Sequence, residues 1–299
     1  MKTNNKTAKC YKSINWKQCV IDLSRLQYEI LIAYRADDMK RVQRIQTQLT
    51  RSFSARALAV RKVTSNSGRN TPGIDGIIWN RPEQKFSAII GLKDLSRYKA
   101  TPVKRRYISK TDGNQRPLGI PTMRDRAVQT LHMFTIDPIA EETACQRSYG
   151  YRLHRGVHDN AIYLKLVLGN YTATRRYVLE ADIKGFFPSV SHKWLLDNIP
   201  MNKAILKEFL KAGVMEDSFL HSTLDGFPQG SPISPALANM TLNGLEDVLV
   251  RNGFLCTRYA DDFVVLGKTR DELNEVARPL IEGFLAERGL VLHPDKTGL

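Results

Sequence analysis

The chain has 299 residues, of which 42% are hydrophobic, and a net charge of +15. That length and apolar content exclude a disordered tail or a short disulfide-stapled scaffold, and allow a core spread over two or three subdomains. The charge is concentrated: residues 1–63 hold 14 Lys+Arg against 4 Asp+Glu, and residues 99–116 hold 6 against 1.

Such a balance predicts a polyanionic partner, nucleic acid first, with solvated basic faces as the plainer alternative. The four cysteines, Cys10, Cys19, Cys145 and Cys256, have no C-x-x-C spacing. Neither a zinc ribbon nor a disulfide framework is expected, and a reducing compartment fits. The opening "MKTNNKTAKC" lacks an apolar segment behind it, and no apolar run reaches the length of a membrane span. No P-loop motif occurs.

In chain order, two basic amphipathic helices are predicted between Asn15 and Val63. Trp16, Val20, Leu23, Leu26 and Ile30 form one stripe, and Val42, Ile45, Leu49 and Phe53 the next. "TSNSGRNTPGIDG" is a loop and boundary. "VKRRYISKTDGNQRPLGIP" reads as a β-hairpin with Asp112-Gly113 in its turn. Helical spacing resumes over "MRDRAVQTLHMFTIDPIAEE". His154 and His158 stand four apart, but Gly156 between them and the missing Glu argue against a zinc helix. "YVLEADIKGFF" predicts a strand ending at Asp182, with Tyr177, Leu179 and Ala181 on one face and Val178, Glu180 and Asp182 on the other. "GFPQGSPISP" is a loop, and "ALANMTLNGLEDVL" a helix with Leu237, Met240, Leu245 and Val248 on one face. A hairpin follows around Asp261 and Asp262, then a helix over "RDELNEVARPLIEGFLAERG" and a short strand, "LVLH". Strands and helices mix without a βαβ rhythm, so the fold class expected is α+β.

Within this pattern "RYADDFVVL" is unusual. An apolar hairpin carries two adjacent carboxylates at its tip. Turn chemistry is one explanation, because Asp bonds nearby backbone N–H groups. A divalent metal is the other, because close carboxylates repel unless a cation lies between them. Asp182 also ends an apolar strand, and carboxylates converging from strand ends could hold two divalent ions for in-line phosphoryl transfer. Mg²⁺ suits such a site because it takes oxygen ligands and leaves positions for substrate phosphates. Lys110 and Arg116, flanking the Asp-Gly turn, could neutralise a triphosphate.

Several long motifs, in order, carry a resemblance. "RYADDFVVL" is similar to the Y-x-D-D motif of reverse transcriptases, and "LEADIKGFFPSV" to the palm strand that supplies their first catalytic Asp. "GFPQGSPISPALANMTLNGLE" resembles the loop and helix that contact template and nucleotide. "RPLGIPTMRDRAVQ" and "SYGYRLHRGVHDNAI" resemble fingers blocks of group II intron-encoded reverse transcriptases (maturases). "LTRSFSARALAVRKVTSNSGRNTPGIDG" resembles the extension of the bacterial members. The resemblance runs from about Trp16 to Thr297.

It implies a right-hand fingers and palm, with an antiparallel palm sheet backed by helices and a helical N-terminal extension. The implied divisions are 1–63, 64–160 and 161–299, with a fingers-side insertion near 192–224. Asp182, Asp261 and Asp262 match the catalytic metal-binding carboxylates, and the carbonyl of Ile183 a further ligand. Two Mg²⁺ ions are implied, with Mn²⁺ as a substitute. Lys110 and Arg116 match residues that grip the triphosphate. Gln229 and Gly230 match template and nucleotide contacts, Phe187 the aromatic at the sugar 2′ position, and Lys296 a lysine that helps pyrophosphate leave. The basic residues expected on RNA are Lys40, Arg41, Arg44, Arg51, Arg56, Arg61, Lys62, Lys104, Arg105 and Arg106. The implied partners are group II intron RNA, an RNA template with a DNA primer, and deoxynucleoside triphosphates, in a bacterial cytoplasm and without a membrane. A homodimer is left open.

The implied function is RNA-templated DNA synthesis with splicing assistance and retrohoming. The family continues into a primer-grip hairpin and a helical thumb, whereas this sequence ends at Leu299. A fingers–palm portion, weak or inactive alone, is therefore expected. The rival readings are an RNA-binding splicing factor with a dead palm, an RNA-templated RNA polymerase and a retron-type enzyme. The intact carboxylate set opposes the first. The RNA polymerases favour Gly-Asp-Asp and a second Asp where Phe187 stands, and the basic N-terminal extension opposes the retron type.

Overall fold

The computed structural model describes residues 10–109, 113, 115–169 and 174–298. Asn15 accepts a hydrogen bond from the Gln18 amide and starts α1 (Trp16–Arg35). Its buried stripe is Cys19, Leu26, Ile30 and Ala33 rather than the expected one through Val20, which is half exposed. Asp38 caps α2 (Met39–Arg51) in the same way, and Val42, Ile45, Gln46 and Leu49 turn inward. The second predicted helix does not continue to Val63. Ser52 is extended (φ −68°, ψ 141°), and its side chain caps a separate helix, α3 (Phe53–Ser65). Phe53 is thus the exposed start of α3 and not the last rung of α2. Alanines at 55, 57 and 59 let α3 bury almost all round.

The chain divides into two compact units: Met1–Ile139 with Pro200–Ser234, and Ala140–Ile199 with Pro235–Leu299. Residues 200–234 join residues 1–139 because Val214 and Met215 pair with Val103 and Lys104. In the first unit, α1 to α3 are joined by α4 (Pro82–Gly91), β1 (Val103–Ser109), β2 (Gln115–Ile120) and most of α5 (Met123–Glu142). The hairpin pairs Ser109 with Gln115 and Lys104 with Ile120, as its alternation predicts. Gly113 has φ +81°, while Lys110 and Asp112 lie outside the described residues. A further pairing was not legible locally. After α9 (Lys203–Leu210; α6 to α8 belong to the second unit) come β4 (Val214–Glu216) and β5 (Phe219–His221). β4 joins β1 in parallel, giving the order β2-β1-β4-β5. Gln46 ties this segment to the helices by donating to the carbonyls of Thr135 and Pro200, at 3.2 and 2.7 Å.

The second unit holds α6 (Val157–Leu168), β3 (Tyr177–Ala181), α7 (Phe186–Ser189), α8 (His192–Asn198), α10 (Ser234–Leu242), α11 (Leu245–Arg251), β6 (Leu255–Tyr259), β7 (Asp262–Gly267), a π-turn (Glu272–Ala277) and α12 (Arg278–Ala286). The sheet order is β3-β7-β6, antiparallel throughout. The single helix expected over "ALANMTLNGLEDVL" is two, because Gly244 takes φ +96° and ends one helix where the next begins. The inward face becomes Leu237, Leu242, Leu245 and Leu249, with Met240 and Val248 at its margin. The expected strand "LVLH" is only a bridge from Leu292 to Ile183, because Pro294 follows and the chain turns there. No described helix is long and apolar enough to cross a membrane.

One basic residue expected on RNA is structural. Arg56 is 5% exposed, and its guanidinium donates to the Ile89 carbonyl at 2.6 Å and the Ser52 carbonyl at 3.2 Å. Removing it leaves buried carbonyls unpaired. Arg56→Ala should therefore lower stability to urea by about 1–3 kcal/mol and leave the salt dependence of RNA binding unchanged. A stability within 0.5 kcal/mol of the parent, roughly the scatter of neutral surface changes, would return Arg56 to the surface set.

Candidate active site

β3 buries Leu179 and Ala181 and leaves Glu180 exposed, so the alternation read from the sequence is the one adopted. Ala181 faces Phe263 in β7. One residue further along that register, Asp182 stands opposite Asp262. Tyr259 pairs with Asp262, so β6 and β7 are joined by only Ala260 and Asp261. All three predicted carboxylates therefore belong to one edge of one small sheet. Asp182 and Asp262 border an open cleft of about 820 Å³ whose lining also includes Glu180, Tyr259, Asp295 and Lys296, whereas Asp261, in the turn, is not part of that lining.

The backbone around Asp182 is fixed from the C-terminal side. Its carbonyl accepts from the His293 amide at 2.8 Å, and the Lys184 amide donates to Val291 at 3.0 Å. Glu180 and Gly298 exchange two backbone hydrogen bonds of 3.0 and 3.1 Å. Residues 291–298 thereby cover the free edge of β3 and deliver Lys296, whose Nζ lies 3.0 Å from Asp182 Oδ2. After Ile183, which is buried, Gly185 takes φ +55° and turns the chain into α7. There Phe187 is 7% exposed, edge-to-face with Phe186 at 5.4 Å between ring centres.

The hairpin tip is under strain. Ala260 has φ +59°, a left-handed conformation that a residue with a Cβ adopts at a cost of roughly 1–2 kcal/mol. Beneath it lies Gly150, where a Cβ would come within 2.3 Å of the Ala260 nitrogen. Arg258, mid-strand in β6, has 0% exposure and donates to the Ala260 carbonyl at 3.0 Å. Its Nε pairs with Glu246 at 2.8 Å, also at 0% exposure. Neither residue stands out from its local sequence as part of a site. The available signal was a charge inside the apolar "FLCTRY" run and another on the buried face of the preceding Leu242, Leu245, Leu249 pattern.

Burial of its flank, then the charges of Asp261 and Asp182, raise the pKa of Asp262 above the usual carboxylate value, and Lys296 opposes that shift. A raised carboxylate pKa means that ionising Asp262 disfavours the fold. Among the described residues no three His, Cys, Asp or Glu side chains are gathered closely enough to hold a metal ion by themselves. The donors present fit an open site instead: facing carboxylates in mutual repulsion suit a hard cation that keeps waters and takes substrate phosphates.

The other predicted residues lie in the first unit. Arg116 is exposed on β2, and Lys110 is outside the described residues. The Gln229 carbonyl accepts from the Gly119 amide at 2.7 Å, and Gly230 takes φ +99° against the Gly119 carbonyl. A Cβ on Gly119 would sit 2.7 Å from both Pro228 and Val103, so the Pro-Gln-Gly loop lies directly on the hairpin. Gln229 Oε1 is buried without a hydrogen-bond partner. Lys40, Arg41, Arg44, Arg51, Arg61, Lys62 and Arg106 are exposed, whereas Lys104 and Arg105 are half-buried. Arg61 stacks 4.6 Å over Trp16, and Arg105 lies 3.8 Å from Glu216.

A three-stranded antiparallel sheet with carboxylates at a strand end and at the adjacent hairpin tip, backed by helices, is the palm of a template-directed polymerase. The reverse transcriptase (RNA-dependent DNA polymerase) family matches residues 108–299, and the N-terminal domain of reverse transcriptase matches residues 11–92; the chain belongs to the reverse transcriptase family. It is 30% identical to the protein YkfC of Escherichia coli over 325 residues, covering 92% of this chain and 84% of that one. It is 34% identical to the group II intron-encoded protein LtrA of Lactococcus lactis, covering 65% of this chain and 33% of LtrA. It is 27% identical to the retron Mx65 reverse transcriptase of Myxococcus xanthus, covering 74% of this chain and 55% of that one. The chain thus spans a third of the length of LtrA and most of YkfC.

Asp262→Asn removes the charge that the site disfavours. The variant should melt above the parent at neutral pH without added metal. The gain should fade as pH falls below the ordinary carboxylate range, where Asp262 is itself neutral. Thermal melts from pH 3 to 8 check this; a gain equal at every pH would mean the charge is not the cause.

Proposed function

We propose that this protein is an RNA-directed DNA polymerase that serves a group II intron, with Asp182, Asp261 and Asp262 as its catalytic carboxylates. The observation that carries the reading is the register setting Asp182 opposite Asp262, with Asp261 in the turn between β6 and β7. Membership of the reverse transcriptase family and the likeness to LtrA support it. The intron RNA, splicing assistance and retrohoming belong to this proposal, as does a nucleic-acid-associated place in a bacterial cytoplasm.

In the reaction the primer 3′ oxygen bonds to the α-phosphorus of the incoming nucleotide. The bond to the α–β bridging oxygen breaks, and pyrophosphate leaves. Asp182, Asp261 and Asp262, with the carbonyl of Ile183, would hold two Mg²⁺ ions, or Mn²⁺ in their place. Such ions activate the 3′ hydroxyl and neutralise the phosphate charge. Lys296, already in the cleft beside Asp182, supplies a cation for the leaving pyrophosphate. Phe187, past the end of β3, would present an aromatic ring that offers a ribose 2′-hydroxyl no hydrogen-bond partner, which favours deoxynucleotides. Arg116 and Lys110 take the triphosphate, and Gln229 and Gly230 take template and nucleotide. The exposed basic faces of α2 and α3 take intron phosphates.

Asp261→Asn should cut primer extension on an RNA template by at least about 10³-fold and leave RNA binding intact. Extension within tenfold of the parent would overturn the catalytic assignment. For the intron partner, Lys40→Gln, Arg41→Gln and Arg44→Gln together should flatten the log–log salt slope of binding to group II precursor RNA by roughly 2. A parental slope would reduce these charges to a solvated face.

A further inference from the structure

We propose that Arg258, held by Glu246, is the positioning residue of the catalytic turn: its guanidinium fixes the Ala260 carbonyl and so sets where Asp261 and Asp262 stand. The inference rests on the polymerase reading above and extends it to groups that never touch substrate.

The turn has little to hold it locally. It is two residues long, its first residue is left-handed without being glycine, and its second is a carboxylate repelled by its neighbour. What holds it comes from below. Arg258 Nη1 donates to the Ala260 carbonyl at 3.0 Å and approaches Asn239 Oδ1 at 3.4 Å. Asn239 in turn donates to the Gly150 carbonyl at 2.9 Å, and Gly150 leaves the space that the Ala260 backbone occupies. The ring Arg258–Ala260–Gly150–Asn239 closes on itself. Nη2 extends toward Asn243 Oδ1 at 3.4 Å, and Asn243 donates to Thr143 and Ala140, at 2.9 and 3.2 Å. The Arg258 backbone is clamped as well, by the Arg147 carbonyl at 3.0 Å and the Tyr149 amide at 2.9 Å.

An ion pair with no exposure on either side is seldom a gain in stability, because desolvation offsets the attraction and apolar pairs of equal volume often serve as well. Glu246 Oε2 is even left buried without a hydrogen-bond partner. Stability alone therefore does not account for the pair. A planar fork that reaches Glu246 with one nitrogen and the turn carbonyl with another does account for it, and a lysine cannot do both. Glu246 sits on α11 and Asn239 on α10, so the fork makes the turn part of the helical backing rather than a free hairpin tip.

The test uses the full chain. Arg258→Met combined with Glu246→Leu removes both charges and keeps the volume, and Arg258→Lys keeps the charge without the fork. Thermal midpoint, amide hydrogen exchange over residues 259–263 and single-nucleotide extension are measured for both, with Asp261→Asn as reference. The double variant should melt near the parent, and its turn amides should exchange at least about 10-fold faster. Its kcat should fall about 10- to 100-fold while KM for the deoxynucleotide changes less than about threefold. Arg258→Lys should fall between the two. Parental turn exchange and kcat in a folded double variant would overturn the proposal. If the double variant does not fold, the same result in Arg258→Lys overturns it. Parental extension by Asp261→Asn would instead remove the polymerase reading, and turn exchange would still report whether Arg258 holds the turn.

Discussion

The site depends on one register, Ala181 opposite Phe263. Strand side chains alternate with a period of two, so a slip of β3 by one residue against β7 would turn Leu179 and Ala181 out of the core and Asp182 into it. Apolar burial on one face thus specifies where the carboxylates stand on the other. The register is protected at both flanks: β6 pairs along one side of β7, and residues 291–298 cover the free edge of β3. The same cover brings Lys296 to Asp182, so edge protection and local charge balance come from one segment.

Around that register the protein accepts unfavourable contacts. Asp262 is crowded by Asp261 and Asp182, Ala260 adopts a glycine-like backbone, and a full ion pair is buried under the turn. Each would be a flaw in a protein built only to be stable. In the polymerase reading proposed above they make a preorganised anionic site, in which the cost of gathering like charges is met during folding and not at the moment of reaction. The surrounding packing supplies the compensation: Leu179, Phe263, Val265 and Leu266 are all essentially inaccessible to solvent.

The first unit solves a different problem. Its four-stranded sheet is assembled from segments about 100 residues apart, and small contacts hold them in place: Gln46 on two distant carbonyls, Gly119 under the Pro-Gln-Gly loop, and Arg126 donating to the carbonyls of Gly68, Thr71 and Pro121. Its two buried arginines among the described residues, Arg56 and Arg126, are bound to backbone carbonyls. Burial strips water from such a cation, and the carbonyls replace that water. The basic composition of this unit therefore divides into two structural arginines and a larger solvent-facing set.

The sequence by itself determined whatever repeats at short range. The alternation through Tyr177–Ala181 predicts β3 and its buried face, the Asp-Gly turn predicts the hairpin of β1 and β2, and the apolar runs either side of Asp261 and Asp262 predict β6 and β7. The three carboxylates were legible because charges at the ends of apolar strands break an otherwise strong pattern. Only the tertiary structure decided which charges are buried. Arg56 and Arg61 lie five residues apart in one helix, yet the first holds backbone carbonyls in the core and the second faces solvent over Trp16. It also decided that Ser52 and Gly244 divide predicted helices, that "LVLH" pairs at one residue only, and that residues 200–234 belong with residues 1–139. The last two of those outcomes depend on partners roughly 100 residues away along the chain. Local periodicity reports which side of an element turns inward, but it holds no information about which element it meets there.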